Sequence, residues 1–288
     1  MYVEEMGLIK SRLPFPLFSR GKVRDIYDFG DKLLIVTTDR MSAFDRLLEN
    51  PVRDKGKVLN QMTVFWMRMM GDIVPNHIIE ADSNFYPKEL APYAGFLRGR
   101  SMLVKKAKPI PIEFIVRGHI SGSAWESYKK DGTICGMKIR DGLLESECFP
   151  FPLFTPSTKA EIGKHDENIS PQKAAEMEGE IVNEAGRKAI EIYKRAYNYA
   201  MGRGIIIADT KFEFGFDENG GLMLIDEVLT PDSSRFWDAA EFEKGKAQKS
   251  FDKQPLRDWI KENDSFDVPF DVLRETSERY KLALKRLV

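Results

Sequence analysis

The sequence predicts an α+β protein, with strands concentrated in the first third and helices dominating the rest. Two observations carry this. Short β-rich runs separated by glycine turns fill the stretch from Phe18 to Thr38, and long apolar periodicities of three and four residues dominate after Ser170. A third is the lack of regular strand–helix alternation, which argues against a doubly wound parallel sheet. With 288 residues the chain suits one large domain or two closely packed lobes.

The elements follow in order. A strand pattern covers Phe18 to Phe29, with Gly21 inside it, then the turn "GDK" and the β-rich "LLIVTT" at Leu33 to Thr38. A helix is expected from about Lys55 to Gly71, because Val58, Leu59, Met62, Phe65, Trp66, Met69 and Met70 recur on one face. Strands return at "SMLVKKA" and "IPIEFIVRGHIS", and Pro109 and Pro111 mark a stiff connection between them. Ser170 followed by Pro171 is a helix start, a capping hydroxyl with proline in the first turn. Helix then runs to about Met201, interrupted near Gly179 and stopped at "GRG". Next comes a hairpin: an apolar strand from Ile205, the turn "DENGG", and Leu222 to Ile225. The final helix, about Phe270 to Leu287, can present Val272, Leu273, Tyr280, Leu284 and Leu287 on one face.

Composition narrows the function classes. The 44 basic and 45 acidic residues nearly cancel, which argues against nucleic-acid binding but leaves room for a local pocket for a phosphorylated small molecule. No run approaches the ~18 apolar residues that a membrane span requires. The N-terminus lacks the pattern of a secretory signal, so the cytoplasm is the expected location. Cys135 and Cys148 have no CxxC spacing and read as reduced thiols. His77, His119 and His165 lie far apart in sequence and give no support to a zinc site. The sequence contains no GxxxxGK[ST], GxGxxG, HExxH or GxSxG.

The hairpin carries the most informative chemistry. Asp209, Lys211 and Glu213 alternate along its first strand and therefore share a face, and Asp226 follows its second strand. Carboxylates grouped in this way suit Mg²⁺ shared with substrate phosphates. An ordinary solvated face with cross-strand ion pairs is the competing reading. The apolar lead-in "GIIIA", the flanking phenylalanines and the tail "TPDSSR", which sets Arg235 just beyond the acids as an anion grip, favour the metal–phosphate site. Two further clusters are inconclusive alone. "RGKVRDIYD" places Gly21 between basic residues, where backbone amides can face phosphate, or simply forms a basic turn. "IEFIVRGHISGSAW" sets Glu113, Arg117, Ser121 and Ser123 together, as an anion pocket or a helix cap.

Taken together, "GKVRDIYD", "TTDRMSAFD", "NQMTVFW", "EFIVRGHISGSAWESY", "FTPSTKAEIGKHDENIS", "IIIADTKFEFG", "DEVLTPDSSRFWD" and "SFDKQPLRDW" resemble the SAICAR synthase family, phosphoribosylaminoimidazole-succinocarboxamide synthases of purine biosynthesis. The motifs run in matching order from about Phe18 to Trp259, in the longer, eukaryote-like form. The resemblance implies a two-lobed fold related to protein kinase and ATP-grasp architecture. Its antiparallel β-rich ATP-binding lobe is expected near residues 1–112 and a larger α+β lobe near 113–288. It implies ligation of L-aspartate to CAIR, a carboxylated aminoimidazole ribonucleotide, with ATP cleaved to ADP and phosphate through an acyl phosphate. Mg²⁺ is the implied cofactor.

By the same resemblance Gly21, Lys22, Val23 and Arg24 cover the triphosphate, and Lys106 and Glu113 contact the nucleotide. Asp209, Glu213 and Asp226 hold Mg²⁺. Arg117, Ser123, Asp232 and Arg235 hold CAIR, with Lys253 and Arg257 as further phosphate contacts. Lys211, Asp209 and Arg235 serve the chemistry. The resemblance also makes "HDENIS", His165 to Ser170, a loop at the active site. Arg24 stands where some relatives carry lysine. Residues 1–14 and the final helix carry no motif and read as structural, and a fusion with the preceding carboxylase is not expected. The rival readings are a small-molecule kinase on the same scaffold and a nucleotide-binding protein without turnover.

Overall fold

β-branched and aromatic residues set on alternate sides of short runs build two large antiparallel sheets, beside two short two-stranded ribbons, in the computed structural model, which describes residues 7–44, 46–159 and 166–288. The smaller sheet has five strands in the order Leu17–Arg20, Arg24–Asp28, Lys32–Thr37, Ser101–Lys105 and Ile78–Glu80. Gly21 is not inside a strand as expected. It opens the turn that splits the Phe18–Phe29 run into a hairpin, where the Gly21 amide donates to the Arg24 carbonyl at 2.8 Å. The two faces of this sheet do different work. Leu34, Val36 and Leu103 pack into a local core with Leu8, Tyr27 and Leu97, while Ile35, Met102 and Val104 form a second patch on the other side.

The larger, seven-stranded sheet is organised around the Ile205–Phe216 strand. Its first half pairs with Ile112–His119 on one side and Ser234–Asp238 on the other. Its second half exchanges these for Lys108–Pro109 and Leu222–Ile225. Pro109, expected in a bare connection, thus lies opposite Gly215 in a two-residue strand. The neighbours separate at Lys211, which follows the last residue paired with Ser234 and precedes Glu213, paired with Ile225. Through this split the 226–233 segment leaves the sheet, and the Lys211 amide donates to the Ser233 carbonyl at 2.9 Å.

Strand alternation then sorts the side chains by face. Phe114, Val116, Phe212 and Phe214 point to one side and are fully buried, in a core shared with the helices. Ile181–Met201 lies on the sheet with Ala185, Ala189, Tyr193 and Ala196 inward, a small-residue stripe that lets helix and sheet approach closely. The 170–201 region forms as expected: Ser170 accepts from the Lys173 amide at 3.1 Å, and Gly179 separates Pro171–Glu178 from Ile181–Met201. Lys55–Met69 buries Val58, Leu59, Met62, Trp66 and Met67 and packs against Phe270–Leu287. The opposite side of the large sheet carries the charged residues. Among the described residues no helix is long and apolar enough to cross a membrane, and both cysteines are free thiols.

Candidate active site

The apolar side of the small sheet and the charged side of the large sheet border one cavity of about 850 Å³. Ile26, Leu33, Ile35 and Val104 supply an apolar slot from the first sheet, and Ile115 and Ile225 from the second. Every residue that the family resemblance places at the triphosphate, metal, CAIR or reaction site lines this cavity, from Gly21 to Arg257, whereas Ser121 does not. Residues more than two hundred positions apart in sequence are therefore brought together by the two sheets. Of the "HDENIS" loop, Asp166 lines the cavity, and His165 lies outside the described residues.

On the charged face, register decides the partners. Asp209 stands opposite Arg117 on one side and Arg235 on the other. Its Oδ2 accepts from Arg117 Nη1 at 3.0 Å and from Arg235 Nη1. Arg117 is fixed further by Thr155 Oγ1 at 2.9 Å and Ser123 Oγ at 3.2 Å. The Asp209 charge raises the pKa of Arg235, whereas burial outweighs Asp209 for Arg117 and lowers it. Gly122 explains how Arg235 fits. Its φ of +53° suits glycine, and a Cβ there would come within 2.1 Å of the guanidinium.

Lys211 Nζ donates to Glu113 Oε1 at 2.5 Å. Burial works against its charge, but Glu113 and Glu213 prevail and raise its pKa, so it stays an ammonium. Glu213 accepts from Lys159 Nζ at 2.5 Å, and Asp226 pairs with Arg24 Nη1 at 2.8 Å. Burial and then the nearby Asp226 charge raise the pKa of Glu213. For Asp226 the burial cost is overcome by Arg24 and Lys211, and its pKa falls. Asp226 sits at φ +61°, a left-handed conformation at the point where the chain turns out of the sheet.

The three carboxylates expected to hold a metal are not drawn together by the strand. Thr210 lies between Asp209 and Lys211 and Phe212 between Lys211 and Glu213, so Asp209 and Glu213 stand four positions apart on the strand, and Asp209 is committed to two arginines. Glu213 and Asp226 remain as neighbours. Among the described residues no three His, Cys, Asp or Glu side chains group as a cation site.

The other end of the cavity is cationic. Lys253 and Arg257 flank the start of the Gln254–Asn263 helix, half-buried, and among the described residues neither forms an ion pair within 4.0 Å, although the Asp232 charge acts on Lys253. Burial lowers the pKa of Lys253. Beside them Asp232 is held by Lys55 Nζ at 2.8 Å and by the Tyr280 hydroxyl at 2.7 Å. Burial opposes its charge, but Lys55 and Lys253 hold its pKa well below the usual carboxylate range. Tyr280 belongs to the helix expected to be only structural, so that reading is incomplete. Lys55, Tyr280, Lys159 and His77 were all missed in sequence. Lys55 and Tyr280 sit on helix faces that read as core, and Lys159 shows only as part of a longer motif. His77 lines the cavity as a neutral imidazole, its pKa pushed down to about 4 by burial.

Residues 17–268 match the family described as SAICAR synthetase. The chain belongs to the SAICAR synthetase family. It is 56% identical over 279 residues to the phosphoribosylaminoimidazole-succinocarboxamide synthase of Maridesulfovibrio salexigens, covering 94% of this chain and 93% of that protein. It is 51% identical over 285 residues to the same-named protein of Pichia angusta, covering 94% of each. The solved SAICAR synthase of Saccharomyces cerevisiae, complexed with SAICAR, matches with a TM-score of 0.87 at 43% identity, covering 97% of both chains. A SAICAR synthetase in complex with ADP shares the fold at 24% identity, with a TM-score of 0.66 over 91% of this chain and 96% of that one. The long form of the family thus spans bacterial and yeast relatives, although its motifs look eukaryote-like.

Proposed function

We propose that this chain is an ATP-dependent carbon–nitrogen ligase that joins L-aspartate to CAIR, giving SAICAR, ADP and phosphate. One observation carries the reading beyond family membership. A single cavity joins an apolar slot, a basic glycine turn and a carboxylate pair at one end to unpaired cations at the other, with Lys211 between. That suits a purine nucleotide and a second, phosphorylated ligand meeting at one lysine. We take the division near residue 112 as the lobe boundary, with the nucleotide between the lobes, and the cytoplasm as the place where such an enzyme meets its substrates.

In this reading the slot of Ile26, Leu33, Ile35 and Val104 takes the base, and the Gly21–Arg24 turn with Lys106 takes the triphosphate. Glu213 and Asp226 fit a divalent cation. They are two buried carboxylates that repel each other, each now balanced by a cationic side chain, Lys159 or Arg24. Bound there, Mg²⁺ would neutralise phosphate charge beside the reacting oxygens. Lys253 and Arg257 bind the phosphate of CAIR, and Arg117, Ser123 and Arg235 bind its carboxylate and imidazole end. In this reading Asp209 holds the two arginines in place and does not bind the metal. Lys211 faces the carboxylate that attacks the γ-phosphorus and stays protonated, so it stabilises growing negative charge and does not act as a base. The aspartate amine then displaces phosphate from the acyl phosphate.

ADP release with MgATP, CAIR and aspartate, each omitted in turn, tests this. Release that needs all three, with the succinocarboxamide seen by mass spectrometry, is expected. Sustained release without aspartate, with phosphorylated CAIR accumulating, would make the chain a kinase instead.

A further inference from the structure

The segment Thr38–Asp39–Arg40 belongs to "TTDRMSAFD", one of the motifs behind the family resemblance. In the structure it stands directly behind the Gly21–Arg24 turn. Arg40 is buried and donates from Nη2 to the Gly21 carbonyl at 2.9 Å and from Nε to the Lys22 carbonyl at 3.1 Å. The Val23 carbonyl accepts from both the amide and the hydroxyl of Thr38, at 2.9 and 2.5 Å. Three successive turn carbonyls are therefore held by one short segment.

The segment is itself anchored. Arg40 also donates to the Ile9 carbonyl at 2.5 Å and to Asp25 Oδ1 at 2.9 Å. Asp39 accepts from the Leu8 amide at 2.6 Å and from the Gly56 amide at 2.8 Å, in the first turn of the Lys55–Met69 helix. Gly56 is required for that approach, since a Cβ would lie 2.4 Å from the Thr37 carbonyl. Strand, helix and N-terminal segment thus converge on residues 38–40.

In a planar trans peptide the N–H points opposite to the preceding C=O. With the carbonyls of residues 21, 22 and 23 turned toward the clamp, the N–H groups of Lys22, Val23 and Arg24 point away from it, on residues that line the cavity. We infer that Arg40, with Thr38, is a positioning residue that holds the turn amides in a phosphate-binding arrangement before nucleotide arrives. It touches no substrate and acts on the polyphosphate through the turn. The inference rests on the reading of that turn as the triphosphate site. An ordinary glycine-rich loop must become ordered on binding, and here that ordering is built in beforehand.

The test compares affinities of the full chain for ATP and adenosine by calorimetry in Mg²⁺ buffer. Wild type should bind ATP at least about tenfold more tightly than adenosine, and Val23→Pro, which deletes one turn amide, should lose most of that margin. If either result fails, the turn is not the phosphate site. With both in hand, Arg40→Lys keeps the charge but cannot span both carbonyls and Asp25. It should weaken ATP about tenfold, leave adenosine within about twofold, and raise the KM for ATP but not for CAIR. Equal losses for ATP and adenosine, or no loss, would overturn the clamp while leaving the phosphate site standing. Should Arg40→Lys not fold, Thr38→Val, which removes one hydroxyl, carries the same test with an expected loss of about threefold.

Discussion

The two ends of the cavity solve opposite electrostatic problems. At the Glu213–Asp226 end every one of these acids has a cationic partner: Lys159 for Glu213, Arg24 for both Asp226 and Glu227, Lys211 for Glu113. At the Lys253–Arg257 end the two cations face the cavity with no ion pair of their own among the described residues, the nearby Asp232 being held by Lys55 and Tyr280. A paired end can take a cation and a polyphosphate together, because partners exchange and net charge changes little. An unpaired cationic end waits for a permanently anionic group. The contrast separates a site built for a metal–nucleotide complex from one built for a phosphate ester, although both use lysine and arginine.

The sharpest way to break this contrast is at the carboxylates. Asp226→Asn should lower Mg²⁺-dependent turnover at least about a thousandfold with the fold retained by circular dichroism. Near-normal turnover in the folded variant would remove Asp226 from the proposed metal role. Next, Arg235→Ala should raise the KM for CAIR about a hundredfold and change that for ATP less than about threefold. Equal changes would show that the two ends are not separate in function. Lys253→Gln should raise the KM for CAIR by about tenfold, less at high salt because the charge is half-buried and partly screened. An effect on ATP alone would reverse the assignment of the ends.

The smallest effect concerns stability. The Tyr280 hydroxyl helps hold the pKa of Asp232 low, against burial. A folded-state pKa below the unfolded value gives stability that is complete above the ordinary carboxylate range and lost as pH falls from there through the lower, folded-state pKa. Tyr280→Phe should therefore cost about 1 kcal/mol at pH 7, and this difference should shrink below about pH 4. A cost that persists unchanged in acid would show that the loss is one of packing.

How much of this was legible in sequence depends on the range of the signal. Local signals gave the helix after Ser170, the break at Gly179 and the hairpin at "DENGG", because caps, glycines and turns act over a few residues. Strand alternation correctly put Asp209, Lys211 and Glu213 on one face. It could not show that register would give Asp209 to Arg117 and Arg235, which took it away from the expected metal set. Gly21 was misread as lying in a strand because a two-sided apolar run looks the same with or without a tight turn in it. Lys55 was invisible: a lysine in the first turn of an amphipathic helix normally faces water, and only tertiary structure buries it against Asp232.

The Tyr280–Asp232 contact also has a bearing on how this enzyme comes into being on the ribosome. Every motif ends by Trp259, so a nascent chain could display all of them and still lack the hydroxyl that steadies one wall of the pocket. The site is finished only when the helix at 270–287 has been synthesised and has docked. Completion of the fold and competence for substrate thereby become a single event, and a chain cut short within that helix would be left with an unfinished pocket.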